Sequence, residues 1–231
     1  MKLSVVKHQR FEGVYWVEDV EGARLATRNL AEGFSVYGEQ LVRFENVEYR
    51  VWNPYRSKLA AAITKDIREI FIKPGSRVLY LGSATGTTAS HVSDIVGEKG
   101  RVYAVDFSPK VMQQFLRNVA ERRRNVVPIL DDATRPESYS FMVGVVDVVY
   151  ADVAQPSQAN IVAANSRLML KKGGGVLLAV KARSIDSVEE PEVVVKREVK
   201  TLAEKGFEVV DRVELEPYEK DHVMVAAVYH G

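Results

Sequence analysis

The sequence contains no cysteine. Disulfides, thiolate zinc sites and cysteine nucleophiles are thereby excluded, and four scattered histidines offer no metal-ligand cluster in their place, so no metal is expected. Long apolar runs are missing too. No stretch approaches the roughly 18 residues of a membrane span, and the start, Met1-Lys2-Leu3-Ser4-Val5-Val6-Lys7-His8, has no signal-peptide core, so the expected compartment is the cytoplasm. Charge of one sign is also lacking. There are 32 basic and 31 acidic residues, divided 7 to 8 over residues 1–54 and 25 to 23 over residues 55–231. Without a basic domain, any hold on nucleic-acid phosphates must come from a local patch or a partner. Core-forming residues are not scarce. At 46% apolar and 27% charged, 231 residues can fill one large domain and a small one.

The chain is organised around Leu79 to Asp106. Arg77 to Leu81 is an apolar run too short for a helix, Gly82 ends it, and a helix-compatible stretch begins near Thr87. A second run, Val102 to Val105, ends in Asp106, and Ser108-Pro109 supplies an N-cap and a first-turn proline for another helix. This pattern predicts a βαβ unit with an acid at its second strand tip. In such units a ligand lies outside the carboxyl ends of the strands, beside glycine backbone, with the acid on ribose hydroxyls. A glycine turn can also serve plain strand-to-helix packing. Asp106 points beyond that, because Ser108 already caps the following helix. Ala84 stands where a dinucleotide fingerprint needs glycine, which disfavours NAD, and Gly86-Thr87-Thr88 lacks the P-loop lysine, which disfavours ATP. A ribose-bearing ligand without phosphate fits better, and S-adenosylmethionine is the common one.

Residues 1–53 alternate in short segments such as Val47-Glu48-Tyr49-Arg50-Val51 between glycines, which predicts a small antiparallel β domain. It is too small to bury much alone, so it packs on the larger domain or offers a surface to a partner. From Pro54 a helix is expected to about Ile70. Lys58 near its start gains no role from position alone, since a cation there is mildly unfavourable. A helix from Val111 to Arg124 ends in three arginines that read as a solvated, dipole-matched terminus. Strands follow at Val126 to Leu130, before the turn residues Asp131 and Asp132, and at Val145 to Tyr150, before Asp152. Asp132 reads as a turn aspartate or as an acceptor for an adenine amino group. A helix over Ser157 to Leu170, a loop through Lys171-Lys172-Gly173-Gly174-Gly175, a strand Val176 to Val180 ending at Lys181 and a helix Glu190 to Lys205 come next. Two last strands, Phe207 to Leu215 and Val223 to Tyr229, are joined so briefly that they must be antiparallel. The layout is α/β, that of a Rossmann-like S-adenosylmethionine-dependent methyltransferase sheet with an antiparallel last strand over residues 54–231. Asp152, Lys181 and His222, just before the reversed last strand, then fall on the side of the sheet that faces the cofactor.

At these residues the sequence resembles the fibrillarin family in its short archaeal form. The likeness runs through Trp52-Asn53-Pro54-Tyr55-Arg56-Ser57-Lys58-Leu59-Ala60-Ala61, Leu81-Gly82-Ser83-Ala84-Thr85-Gly86-Thr87-Thr88, Tyr150-Ala151-Asp152-Val153-Ala154-Gln155-Pro156 and Asp221-His222. It implies an RNA 2′-O-ribose methyltransferase using S-adenosylmethionine on rRNA and tRNA. The implied partners are box C/D guide RNA, target RNA, a Nop-domain scaffold protein and a kink-turn-binding protein. The family's catalytic lysine, aspartate, lysine and histidine fall on Lys58, Asp152, Lys181 and His222, which restores a role to Lys58. Cofactor contacts are expected from Gly82, Ala84, Thr87, Thr88, Asp106, Phe107, Asp132, Ala133, Asp152 and Gln155. The family usually has glutamates where this chain has Asp106 and Asp131, and the eukaryotic Gly/Arg-rich tail is missing. Lys181 is the candidate base, favoured by the nearby cation Lys58 and opposed by Asp152, or else a fixed cation for the developing alkoxide. Asp152 is expected to hold Lys181 and to sit near the sulfonium, and His222 to orient the ribose.

Overall fold

The computed structural model describes residues 3–185 and 188–231. Five strands come first, β1 (Ser4–Lys7), β2 (Val14–Asp19), β3 (Gly22–Arg28), β4 (Leu41–Phe44) and β5 (Val47–Val51), paired antiparallel in the order β1-β2-β3-β5-β4. The two-residue turn between β4 and β5 holds Glu45 and Asn46 at φ 46° and 62°. Both angles are left-handed, as a turn matching the twist of a hairpin requires.

The remaining elements are α1 (Lys58–Thr64), β6 (Arg77–Leu81), α2 (Thr87–Val96), β7 (Arg101–Asp106), α3 (Pro109–Asn118), β8 (Val126–Leu130), α4 (Ser140–Val143), β9 (Val146–Ala151), α5 (Gln158–Met169), β10 (Leu170–Lys181), α6 (Ala182–Ile185), α7 (Pro191–Glu204), β11 (Phe207–Glu214) and β12 (His222–Tyr229). The second sheet runs β11-β12-β10-β9-β6-β7-β8; strands β8, β7, β6, β9 and β10 are parallel, and β12 is antiparallel to both its neighbours. Alternate side chains explain the apolar runs. Val78 and Tyr80 of β6 join one core with α1, α2 and α3, while Leu79 and Leu81 join another with α4, α5 and α7. A strand covered on both faces has no solvent side on which to place polar residues.

Three sequence expectations need correction. The first helix stops at Thr64, well before Ile70: the Lys65 N–H bonds back to Ala61 and Ile63, and Asp66 turns left-handed at φ 66°. The glycine run Gly173-Gly174-Gly175 is strand, and β10 starts at Leu170 with a register shift before Gly175. A Cβ on Gly175 would lie 2.1 Å from Cγ of Phe71, so glycine there admits a ring against the strand. The third correction concerns the arginines. α3 ends at Asn118, a short 3₁₀ turn follows at Ala120–Arg122, and Arg123 is 2% exposed instead of solvated.

Arg123 belongs to a buried polar junction between the two sheets. Its Nη2 lies 3.0 Å from Oδ1 of Asp94 on α2 and donates to Asn29 Oδ1 at 3.1 Å. Arg50 of β5 meets the other Asp94 oxygen at 2.7 Å and Glu39 at 2.6 Å. Burial alone would raise the Glu39 carboxyl, but Arg50 and the backbone N–H groups of Val36 and Tyr37 together hold it below the ordinary value. Thr27 of β3 donates to Asp94, and apolar contact continues around the charges, with Phe11, Val14, Leu25 and Trp52 in the same core as α1 and α2.

Candidate active site

The cleft forms where β6, β7 and β9 end side by side. Gly82 follows β6 at φ 80°, and a Cβ there would stand 2.4 Å from the carbonyl oxygen of Asp152, whose N–H donates to the Leu81 carbonyl at 2.9 Å. Glycine at 82 therefore lets the tips of β6 and β9 converge, and this convergence positions Asp152. Gly86, at φ 99°, is the N-cap of α2 and brings no side-chain cap; a Cβ on it would strike Val119 at 2.3 Å. The first-turn N–H groups of α2 are left without a side-chain acceptor at the cap.

Asp106 at the end of β7 accepts from Ala84 N–H through Oδ2 and from Ser108 N–H through Oδ1, both at 3.0 Å. Ser108 caps α3 as expected, accepting from Val111 N–H. Asp106 is nonetheless not left free by that cap, for the backbone fixes both of its oxygens. Each oxygen retains a second lone-pair direction, enough to accept from a ribose diol.

A cavity of about 430 Å³ opens between these tips. Among the residues expected at the cofactor, Gly82, Ala84, Asp106, Phe107, Ala133, Asp152 and Gln155 line it; Thr87, Thr88 and Asp132 do not. Thr88 is turned toward Ser57, the N-cap of α1, with the two hydroxyls 2.8 Å apart, so it ties the glycine loop to the helix that carries Lys58. Asp132 accepts from Thr134 N–H at 2.9 Å, and that backbone bond is the main cause of its lowered pKa. Val111, which no motif marks, and Val153, part of a motif but not expected at the cofactor, line the cavity together with the exposed Phe107. An acid for the ribose, apolar walls for a base and no basic side chain for a phosphate fit an adenosine carrying a sulfonium.

Lys58, the first residue of α1, donates from Nζ to Asp152 Oδ2 at 2.8 Å. The carboxylate expected on Lys181 is thus on Lys58. Lys181 ends β10 and stands directly opposite His222, the first residue of β12. Since β9 and β10 pair Ala151 with Leu178, Asp152 and Lys181 leave neighbouring strands on the same edge of the sheet. His222 Nδ1 is 2.6 Å from the Lys220 carbonyl, which can only accept, so Nδ1 carries a proton and, in the neutral tautomer, Nε2 is the free acceptor.

One residue of this arrangement is invisible in the sequence pattern. Gln158, 1% exposed in the first turn of α5, donates from Nε2 to the carbonyls of Val153 at 2.5 Å and Ala179 at 3.1 Å, and its Oε1 accepts from Lys181 N–H at 3.1 Å. It clamps the loop after Asp152 to the end of β10. A glutamine beginning a helix ordinarily reads as solvated, so only its three partners reveal the role.

Strand order, reversed last strand and nucleoside cleft together define a Rossmann-like methyltransferase. A sequence model of the fibrillarin family matches residues 5–231, and the chain belongs to that family. It is 54% identical over 98% of its length to the fibrillarin-like rRNA/tRNA 2′-O-methyltransferase of Aeropyrum pernix, of which 97% is covered. Among solved structures it matches the Aeropyrum pernix fibrillarin with natively bound S-adenosyl-L-methionine (TM-score 0.92, 53% identity, 98% of this chain and 99% of that one). It also matches a chain of a fibrillarin/Nop5p complex (TM-score 0.84, 42% identity, 96% and 99%).

Proposed function

We propose that the chain transfers the methyl group of S-adenosylmethionine to ribose 2′-hydroxyls of rRNA and tRNA at positions chosen by a box C/D guide RNA. The observation that carries this reading is the convergence of Lys58 with Asp152, and of Lys181 with His222, on the edge of the sheet where the nucleoside cleft opens. The cofactor would be held by Gly82, Ala84, Asp106, Phe107, Ala133, Asp152 and Gln155, and it supplies a methyl group made electrophilic by a sulfonium. In-line placement of the hydroxyl accounts for much of the rate. Lys58 neutralises the Asp152 carboxylate, which leaves the Lys181 ammonium as the cation for the developing alkoxide, while Nε2 of His222 accepts a hydrogen bond from the substrate ribose. As the oxygen–methyl bond forms and the methyl–sulfur bond breaks, the hydroxyl proton passes to water.

With a net charge of +1 the isolated chain has little non-specific hold on RNA. A Nop-domain scaffold, the kind of partner a related fibrillarin has in its Nop5p complex, and a kink-turn-binding protein bring guide and target to it. The archaeal relative supports a reading in which the chain acts in the cytoplasm. Among the described residues no helix is long and apolar enough to cross a membrane.

Calorimetric titration tests the cofactor assignment. S-adenosylmethionine should bind the chain alone, and Asp106→Ala should weaken binding by about 1.5–3 kcal/mol for each charge-assisted hydrogen bond lost. Absence of heat with S-adenosylmethionine, together with binding of NAD or ATP, would overturn it.

A further inference from the structure

Beside the catalytic edge, between β2, β3, α1 and the loop before β12, lies a second cavity of about 730 Å³. Five aromatic side chains line it: Trp16, Tyr37, Trp52, Tyr55 and Tyr218. Tyr55 is 60% exposed and meets Tyr218 edge to face, ring centroids 4.9 Å apart, while the Arg56 guanidinium lies 5.9 Å from the Tyr37 ring centroid. Trp52 is fully buried, and its indole N–H has no hydrogen-bond partner among the described residues. Charge in this groove is unbalanced. Its one lining carboxylate, Glu39, is taken by Arg50 at 2.6 Å, and its other lining arginine, Arg24, is paired with Asp19 and Glu21. Arg56 is exposed and has no ion-pair partner among the described residues.

The placement is as informative as the composition. Tyr55 and Arg56 stand three and two residues before Lys58, on the 3₁₀ turn that leads into α1, and Tyr218 stands four residues before His222. Two residues span at most about 7 Å of chain, so Arg56 lies within that distance of Lys58. The segments leading to two of the four expected catalytic residues, Lys58 and His222, thus carry the aromatic pair.

We propose that this groove is a binding site for unpaired nucleotides of the RNA substrate, with a base stacked on Tyr55 and Tyr218 and a backbone phosphate on Arg56. The inference rests on the reading of the chain as an RNA methyltransferase. Aromatic faces accept any base, because every base has a π-face, and arginine adds a planar cation for phosphate. A peptide would find the same rings but no carboxylate left to receive its basic groups, and no reason to reach the catalytic edge.

Both tryptophans of the chain line the cavity, which provides a direct readout. A short single-stranded RNA should quench their emission at low salt, and the quenching should persist with S-adenosylmethionine bound. Tyr55→Ala should weaken RNA binding about tenfold, as expected for loss of one stacked base, whereas Tyr55→Phe should keep most of it. Arg56→Ala should lower the slope of log affinity against log salt by about one. In the assembled guide complex Tyr55→Ala should raise KM for target RNA with kcat and cofactor affinity unchanged. Wild-type RNA binding and KM in both Tyr55→Ala and Tyr218→Ala would overturn the proposal, as would weaker scaffold assembly with an unchanged RNA KM, which would make the groove a protein dock. Failure of the underlying function reading looks different: the wild-type complex would transfer no methyl group, while RNA quenching and its loss in Tyr55→Ala would still decide the groove.

Discussion

At the scale of single residues, the site depends on what fits beside a carbonyl. Residue 82 must lack a Cβ because the Asp152 carbonyl lies 2.4 Å from where one would be, and Asp152 must sit there to meet Lys58 at 2.8 Å. Lys181 is then the cation of the tetrad with no carboxylate on it, since no ion pair or side-chain hydrogen bond reaches its ammonium among the described residues. This leads to a prediction that separates two mechanisms. Lys181→Ala should remove methyl transfer and leave S-adenosylmethionine affinity unchanged, because the side chain acts on the hydroxyl and not on adenosine. Lys181→Arg keeps the charge but cannot give up its proton at working pH. If Lys181 serves as a fixed cation, the arginine variant retains turnover above that of the alanine variant in a single-turnover assay. Equal loss in both would make Lys181 the base.

At the scale of elements, two strand ends and one helix start have to be held in register, and Gln158 of α5 does this with three hydrogen bonds to β10 and the loop after β9. Gln158→Ala should lower kcat by about 10²-fold, the cost of a misplacement near 1 Å. Calorimetry should find cofactor affinity within a few-fold of wild type, and Gln158→Asn should restore little, its amide falling one methylene short. Unchanged kcat in Gln158→Ala would show the clamp to be idle. The elements differ in how legible they were. Strands such as Val78 to Leu81 were readable because burial on both faces removes polar residues from the run, and Ser108-Pro109 was readable because capping is local. The early start of β10 was not, since it depends on a partner distant in sequence, as Phe71 over Gly175 illustrates, and neither was the end of α1, where Asp66 turns left-handed with no glycine or proline to mark it. Asp152 and Lys181 could be placed on one edge from strand direction alone. Which carboxylate holds which lysine could not, because pairing is set by side-chain reach across elements.

At the scale of the molecule, two sheets are joined by charges that a sequence does not distinguish from surface charges. Arg50, Asp94 and Arg123 have side chains fully shielded from solvent, and removing one partner strands the others. Arg123→Ala should therefore destabilise the fold by about 3–5 kcal/mol in denaturant unfolding, where a solvated helix-end arginine would cost next to nothing. His91 of α2 makes the same junction sensitive to acid. Thr27 spends its hydroxyl hydrogen on Asp94, so His91 Nδ1, 2.8 Å away, must donate to Thr27 Oγ1, and Nε2 accepts from the Tyr37 hydroxyl at 2.9 Å. Burial, then Arg50 and Arg123, hold the His91 pKa well below 6.5, so it is neutral in the folded protein. Unfolded, it takes up a proton near its ordinary value of about 6.5. Below that pH the unfolded chain binds more protons than the folded one, and stability falls as pH falls. His8, lowered by burial and by Arg10, contributes in the same direction. Paired carboxylates begin to matter only below about pH 5. Between about pH 7 and 5 thermal unfolding should therefore shift to lower temperature, and His91→Gln should flatten that dependence while leaving the part due to His8. An identical slope in His91→Gln would mean that the junction does not carry the acid sensitivity.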